Sequence, residues 1–159
     1  MSESLETGQP FPDFDLPDQD GVRVRRADFA GEWLVLFVYP KDDTPGCTVE
    51  SRGFSAASGQ FAAANARVVG LSADGVESHK SFCGKFDLRV PLLADTNATL
   101  LLASGVGQSD DRGTFYWNRV TFLIDPGGVV RRIYRDVKPQ GHEQAVLADL
   151  LALSSKEQA

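Results

Sequence analysis

The hydrophobic positions of this chain change their spacing along its length, and each spacing predicts a type of element. Residues 33–39 are apolar throughout, which is typical of a strand buried on both faces. Between residues 47 and 65, apolar or small side chains recur at spacings of three and four, which predicts a helix. Further patterns predict strands at 67–71 and 90–94, helices at 76–86, 97–103 and 142–153, and hairpins that pair 14–16 with 22–24 and 120–124 with 129–134.

The order of these elements predicts the fold class. A hairpin is followed by a β-α-β-α-β-α succession, then by a second hairpin and a last helix. We therefore expect an α/β protein with a thioredoxin-like fold, in which helices flank a central mixed sheet and a β-hairpin extends the N-terminus. The length of 159 residues suits one core, so we expect a single domain over residues 1–159.

Composition excludes several classes of function. Apolar residues make up 42% of the chain and charged residues 24%, which is ordinary for a globular protein. The net charge of -6 argues against a nucleic-acid partner. The longest apolar stretch, 33–39, is too short to cross a membrane. Glu3 and Glu6 lie near the N-terminus without an apolar block, so we expect no targeting segment and a cytoplasmic protein.

The chain has two cysteines, Cys47 and Cys83. A reducing cytosol disfavours a structural disulfide. Two thiols are too few for a zinc site made of cysteines alone, and neither His79 nor His142 has ligand-like spacing to them. Two interpretations are left, which are small core residues and redox chemistry.

The segment before Cys47 favours redox chemistry. It leads from a buried strand through a loop into a helix, so Cys47 lies in the first helical turn, where free N–H groups and the helix dipole favour a thiolate. The hydroxyl of Thr44 can reach the sulfur or an oxygen bound to it. Pro45 and Gly46 let the backbone approach a small substrate, and Pro40 can exclude solvent from the sulfur.

This segment resembles a known family. Pro-x-x-x-(Thr/Ser)-x-x-Cys is the active-site motif of peroxiredoxins, and Pro40, Thr44 and Cys47 match every fixed position. Residues 39–50, Tyr-Pro-Lys-Asp-Asp-Thr-Pro-Gly-Cys-Thr-x-Glu, resemble the peroxiredoxin Q branch, also called bacterioferritin comigratory protein. Residues 119–125, Arg-x-Thr-Phe-Leu-Ile-Asp, are similar to its second signature, and the likeness covers nearly the whole chain.

The resemblance implies a role for each matched residue. Cys47 would attack a peroxide oxygen and become a sulfenic acid, while Arg119 would hold the thiolate and the peroxide. Thr44 would hydrogen-bond the peroxide, Pro40 would shield the sulfur, and Glu50 would help to order Arg119. The implied enzyme is a monomer that reduces hydrogen peroxide and organic hydroperoxides. It would use thioredoxin or a similar dithiol and would need no metal, haem or flavin.

The second cysteine departs from the commonest pattern of the branch. Many members carry a resolving cysteine five residues after the first, where this chain has Arg52. A smaller group resolves from the following helix, which implies an intramolecular Cys47–Cys83 disulfide. Because bridged Cα atoms lie within about 7 Å, we expect the helix to unwind near Gly84 when the bridge forms. The alternative is that Cys83 is a core residue and an external thiol resolves Cys47.

Two other classes of function use a reactive thiol as the peroxidase does. A disulfide oxidoreductase on the same fold is disfavoured, because no Cys-x-x-Cys is present. A peroxide sensor that passes its oxidation to a partner stays open, because the same sulfenic acid begins both pathways.

Several features outside the motif are expected to have no catalytic role. Adjacent Asp42 and Asp43 are expected to solvate a loop, and His79 is expected at the surface. Gly105-x-Gly107 is interpreted as a loop and not as a nucleotide site. The aromatic residues 115–117 fit either a roof over the active site or ordinary packing.

Overall fold

The computed structural model of the chain describes residues 5–109 and 111–157. Its elements follow one another in this order: β1 (Asp15–Pro17), β2 (Arg23–Arg25), a 3₁₀ turn (Arg26–Phe29), β3 (Trp33–Val38), α1 (Pro45–Ala63), β4 (Ala66–Ser72), α2 (Val76–Phe86), β5 (Leu92–Ala94), α3 (Thr99–Ala103), β6 (Gly107–Ser109), β7 (Phe115–Trp117), β8 (Val120–Ile124), β9 (Val130–Tyr134) and α4 (His142–Glu157).

The central sheet has five strands in the order β5-β4-β3-β8-β9. Strand β3 pairs in parallel with β4 and antiparallel with β8, and β9 is antiparallel to β8. Strands β1 and β2 form the predicted N-terminal hairpin. The expected thioredoxin-like arrangement, a mixed sheet flanked by helices, is therefore confirmed. It places β3 at the centre of the sheet, so the loop that follows β3 leaves from the middle of the molecule.

The residues of β3 are buried on both faces of the sheet, which explains their unbroken apolar run. Trp33, Val35 and Phe37 belong to a core that they share with α1, α2 and α4. The alternate residues belong to a second core, on the side of α3 and the N-terminal hairpin. Full burial of each such side chain contributes about 1.5–3 kcal/mol, so this strand is a rigid base for the loop after it.

Most predicted elements are present with small shifts at their ends. Helix α1 begins at Pro45, because proline suits the first helical position and has no N–H to leave unpaired. The prediction of a loop at Gly107 is wrong, since β6 starts there and pairs with β7. Three-residue strands are too short to show a period. A Cβ at Gly107 would lie 2.5 Å from the Phe115 ring, so a larger residue there would require this exposed ring to move.

The aromatic run occupies β7. Phe115 and Tyr116 are exposed, whereas Trp117 packs against the second core. Within the part of the chain that the structure describes, none of the helices has both the length and the apolar character that crossing a bilayer requires.

Candidate active site

The thiol of Cys47 lies at the start of α1. Thr44, the residue before the helix, is extended (φ −95°, ψ 155°), and Pro45 is the first helical residue. Cys47 is therefore in the first turn, as predicted, where free N–H groups and the helix dipole favour negative charge. Its side chain is completely buried, so a charge on the sulfur depends on nearby protein groups and not on bulk water.

Arg119 supplies a positive charge beside that sulfur. Its Nη2 donates to the Cys47 sulfur at 3.4 Å, and its Nη1 donates to Oε1 of Glu50 at 2.9 Å. Arg119 directly precedes β8, the antiparallel neighbour of β3, and this pairing brings it to the end of β3 where α1 begins. One planar guanidinium thus contacts both groups, which the single ammonium of a lysine does less well.

Gly46 leaves room for this arginine. A Cβ at Gly46 would lie 2.9 Å from Arg119 Nη2. The close approach that the sequence predicted at Gly46 therefore involves the guanidinium of Arg119, which no local pattern showed.

The ion pair between Arg119 and Glu50 is largely buried. Burial alone would lower the pKa of Arg119, but the negative charges of Cys47 and Glu50 raise it overall, so the guanidinium stays charged. Burial raises the pKa of Glu50 to about 7; the Arg119 charge opposes this rise and Glu143 adds to it. The second carboxylate oxygen of Glu50 has no hydrogen-bond partner among the described residues. Glu50 consequently changes charge near neutral pH.

Two further residues of the motif, Thr44 and Pro40, lie in the loop before α1. The Thr44 hydroxyl donates to the Lys41 carbonyl oxygen at 2.9 Å, and Pro40 is exposed at the start of the loop. The structure therefore brings together Cys47, Arg119 and Glu50. The peroxide contact of Thr44 and the shielding by Pro40 stay predictions.

Cys83 lies on α2, half-buried against the core that contains Cys47. Both cysteines are free thiols. Burial raises the pKa of the Cys83 thiol to about 12, and the nearby charges of Asp42, Asp20 and Asp18 add to this rise. In this position Cys83 is protonated, and so it is a poor nucleophile.

The prediction that His79 lies at the surface is wrong, and so is the prediction that Asp42 solvates a loop. His79 is completely buried, with Nδ1 2.7 Å from Asp42 Oδ2. Asp42 is also buried and accepts a hydrogen bond from the Tyr39 hydroxyl at 2.6 Å. Asp43 is exposed, as expected. The spacing of apolar residues identifies the buried face of α2. It did not show that this face includes His79, because the partner of His79, Asp42, is distant in sequence.

His142 is a second buried histidine close to the site, and the sequence patterns did not indicate that it is buried there. His142 begins α4, as predicted, and its Nε2 lies 2.8 Å from the Thr121 hydroxyl oxygen. Burial lowers its pKa to about 4, and the charge of Arg119 adds to the effect. His142 is therefore neutral at pH 7 and adds no positive charge near Arg119.

These features define a class of protein. A buried thiol in the first turn of a helix, contacted by a charged arginine and set on a thioredoxin-like sheet, is the arrangement of a thiol-dependent oxidoreductase.

Comparison with known proteins gives the family. Residues 7–133 match the AhpC/TSA family. A putative peroxiredoxin bcp of Helicobacter pylori is 41% identical over 151 residues, which are 93% of this chain and 99% of that protein. Peroxiredoxin Q of Xanthomonas campestris has a TM-score of 0.89 at 37% identity, covering 93% of this chain and 98% of that chain. The chain therefore belongs to the AhpC/TSA family, and it is a peroxiredoxin, a thiol peroxidase.

A second structure from Xanthomonas campestris concerns substrate. It is of the bacterioferritin comigratory protein, described with an alkyl peroxide reduction activity, and has a TM-score of 0.89 at 35% identity. It covers 94% of this chain and 99% of that chain.

Proposed function

We propose that this peroxiredoxin is a two-cysteine enzyme that reduces hydrogen peroxide and organic hydroperoxides. In this proposal Cys47 is oxidised by the peroxide, Cys83 resolves it as an intramolecular disulfide, and thioredoxin or a similar dithiol restores both thiols. The observation that carries the proposal is the contact of Arg119 with Cys47, because it places a permanent positive charge where a thiolate must react. The alkyl peroxide activity of the Xanthomonas relative supports the organic substrates.

In the first step, the Cys47 thiolate attacks one peroxide oxygen. An S–O bond forms while the O–O bond breaks, and the departing oxygen takes a proton and leaves as water or an alcohol. Arg119 stabilises the charge as it moves from sulfur to oxygen, inside a site that excludes water. Thr44 would turn from the Lys41 carbonyl to donate to the peroxide, and Pro40 would cover the sulfur.

In the second step, the Cys83 thiolate attacks the sulfur of the Cys47 sulfenic acid. The S–S bond forms, the S–O bond breaks, and the oxygen leaves as water after taking up a proton. The two electrons that reduce the peroxide thus come from the two thiols. Because burial disfavours the Cys83 thiolate in its present position, we propose that α2 unwinds near Gly84 before this step.

We also propose an oligomeric state, a domain organisation and a location for this protein. Both thiols and Arg119 come from one chain, so a monomer has every group that the two steps use. We propose a single domain over residues 1–159 that works in the cytoplasm, where dithiol reductants are maintained.

The experiment is to add one equivalent of peroxide and to measure intact mass and peptide maps. The proposal requires the loss of two hydrogens and a cross-linked peptide that contains Cys47 and Cys83. The Cys83→Ser variant should instead gain one oxygen on Cys47. If the wild type also stops at that sulfenic acid, an external thiol resolves it. Mixed disulfides with one partner and slow turnover would identify a sensor, and rapid insulin-disulfide reduction would identify a disulfide oxidoreductase.

A further inference from the structure

A buried polar cluster joins the active-site loop to helix α2. Asp42 lies in the loop between β3 and α1. Its Oδ1 accepts from the Tyr39 hydroxyl at 2.6 Å, and its Oδ2 accepts from the Ser78 hydroxyl at 2.8 Å. The same Oδ2 is 2.7 Å from Nδ1 of His79. Ser78 and His79 are in the first turn of α2, so one carboxylate connects the end of β3, the loop and the helix.

His79 is held at both ring nitrogens. Its Nε2 lies 2.9 Å from the Leu93 carbonyl oxygen in β5, while its Nδ1 faces Asp42. Both neighbours are acceptors, so both contacts are hydrogen bonds when the ring is an imidazolium beside a carboxylate. Both hydrogen bonds also form when a protonated Asp42 donates to Nδ1 and the neutral ring donates from Nε2. Because His79 is completely buried, no water replaces either bond, and separating the two residues leaves unpaired polar groups.

A metal site is the other explanation of this cluster. Ligand atoms of Asp42, Asp74 and His79 lie within 4.8 Å of one another. However, Oδ2 of Asp74 already accepts from the Asp42 backbone N–H at 2.8 Å and from the Ser72 hydroxyl at 2.7 Å. Protein donors therefore account for the arrangement, and we assign no ion to it.

Cys83 lies on the same helix as Ser78 and His79. Cys83 follows His79 by four residues, one turn along the same face of α2. Between them Phe82 packs against Tyr39, with ring centroids 6.3 Å apart. A further polar link from this loop to α2 joins Lys85 to Asp43 at the exposed surface, where an ion pair contributes little. In a regular helix the Cys83 N–H bonds to the His79 carbonyl, so unwinding at Cys83 loosens the turn that the contact of Asp42 with His79 holds in place.

We propose that Asp42 and His79 are positioning residues for the resolving step: their buried contact keeps α2 folded and so limits the rate at which Cys83 reaches oxidised Cys47. This inference rests on the proposed function, since it requires Cys83 to resolve Cys47. The charge of Asp42 also adds to burial in raising the pKa of Cys83, so opening of the helix both moves the thiol and favours its ionisation. Slow opening would leave the sulfenic acid exposed to a second peroxide for longer.

The test separates the two chemical steps by stopped-flow kinetics with quenched samples analysed by mass. In His79→Gln, disulfide formation should be about tenfold faster, the factor expected from losing one buried hydrogen bond to a charged group. Over-oxidation of Cys47 by excess peroxide should fall by a similar factor. Ser78→Ala removes one bond to Asp42 from an exposed residue and should give a smaller acceleration. If His79→Gln does not fold, the Ser78→Ala variant still tests the inference.

Two comparisons show whether the contact itself is responsible. Lys80→Gln changes an exposed residue of the same helix and should leave both steps at wild-type rates. In a cycle with Asp42→Asn, the double variant with His79→Gln should be accelerated by less than the product of the two single accelerations, because both changes remove the contact between these two residues.

The results that overturn the inference are distinct from those that overturn the proposed function. If the wild type forms the disulfide and the folded His79→Gln and Ser78→Ala variants form it no faster, the inference is wrong. An equal acceleration in Lys80→Gln overturns it too. If the wild type forms no Cys47–Cys83 disulfide, the proposed two-cysteine function fails and the inference fails with it.

Discussion

The guanidinium of Arg119 donates to the sulfur of Cys47 at 3.4 Å, although 72 positions separate the two residues in the chain. The contact arises because β8 pairs with β3, which carries Arg119 to the loop where α1 begins. Glu50 holds the other arm of the same guanidinium.

Replacing Cys47 by serine should abolish peroxidase turnover and leave the fold intact, because a serine hydroxyl is hardly ionised at neutral pH. Peroxide consumption with a dithiol reductant measures the first effect, and circular dichroism measures the second. Turnover within tenfold of the wild type would show that Cys47 is not the reacting thiol.

Arg119→Lys should slow the oxidation of Cys47 by roughly a hundredfold, the cost of losing one well-placed donor to a developing charge. A lysine keeps the charge, but it does not contact Cys47 and Glu50 as a planar fork does. The measurement is the second-order rate constant with hydrogen peroxide. Arg52→Lys, an exposed change on α1, is the control and should react like the wild type. An unchanged rate in Arg119→Lys would remove Arg119 from the site.

Gly46→Ala should lower the same rate constant by about tenfold, since a displacement of about 1 Å near reacting groups costs up to a hundredfold. Its Cβ would lie 2.9 Å from Arg119 Nη2 and would push the guanidinium away from the sulfur. Gly59→Ala is the matched control, because its Cβ would meet nothing within 4 Å in the same helix. That control should react normally and gain roughly 0.5–1 kcal/mol of stability. Equal rates in both variants would contradict the packing argument.

Glu50→Gln should change how stability depends on pH. The folded pKa of Glu50, about 7, lies above its usual value of 4.5, so the folded state holds this proton more tightly. Its contribution to stability is complete below pH 4.5 and is lost as pH rises through 7. The variant lacks this loss. Its free energy of unfolding relative to the wild type should therefore rise between pH 4.5 and 7, by at most about 1.4 kcal/mol per pH unit.

His142→Gln should change the dependence of stability on pH in the opposite direction. The folded pKa of His142, about 4, lies below its usual 6.5, so its contribution is complete above pH 6.5 and is lost as pH falls through 4. Relative to the wild type, this variant should therefore lose stability as pH rises from 4 to 6.5. Urea unfolding at a series of pH values measures both variants. Parallel curves for the wild type and either variant would contradict the assigned direction.

Formation of the disulfide should loosen α2 and leave the central sheet unchanged. We expect amide hydrogens of Val76–Phe86 to lose protection from exchange on oxidation, while those of Trp33–Val38 keep theirs. Hydrogen exchange on both redox forms measures this. A disulfide that forms with unchanged protection in α2 would show that the helix does not unwind.

Local patterns in the sequence were enough to predict several features of this protein. The unbroken apolar run of residues 33–39 predicted β3, and the spacing of residues 76–86 predicted α2 with the bounds that the structure has. The loop chemistry before Cys47 placed that thiol in the first helical turn, and the motif around it indicated the family. These features depend on neighbours within one or two turns of the chain, so their signals are present in short segments.

Tertiary structure alone decided which distant groups meet. The resemblance to the family indicated Arg119 as a site residue. The pairing of β8 with β3 sets the 3.4 Å contact of Arg119 with the sulfur of Cys47. The burial of His79 depends on Asp42 and on the Leu93 carbonyl, which come from a loop and a strand that pack against α2. A polar residue is buried where such partners satisfy its hydrogen bonds, and partners remote in sequence leave no periodic signal in the segment that holds it.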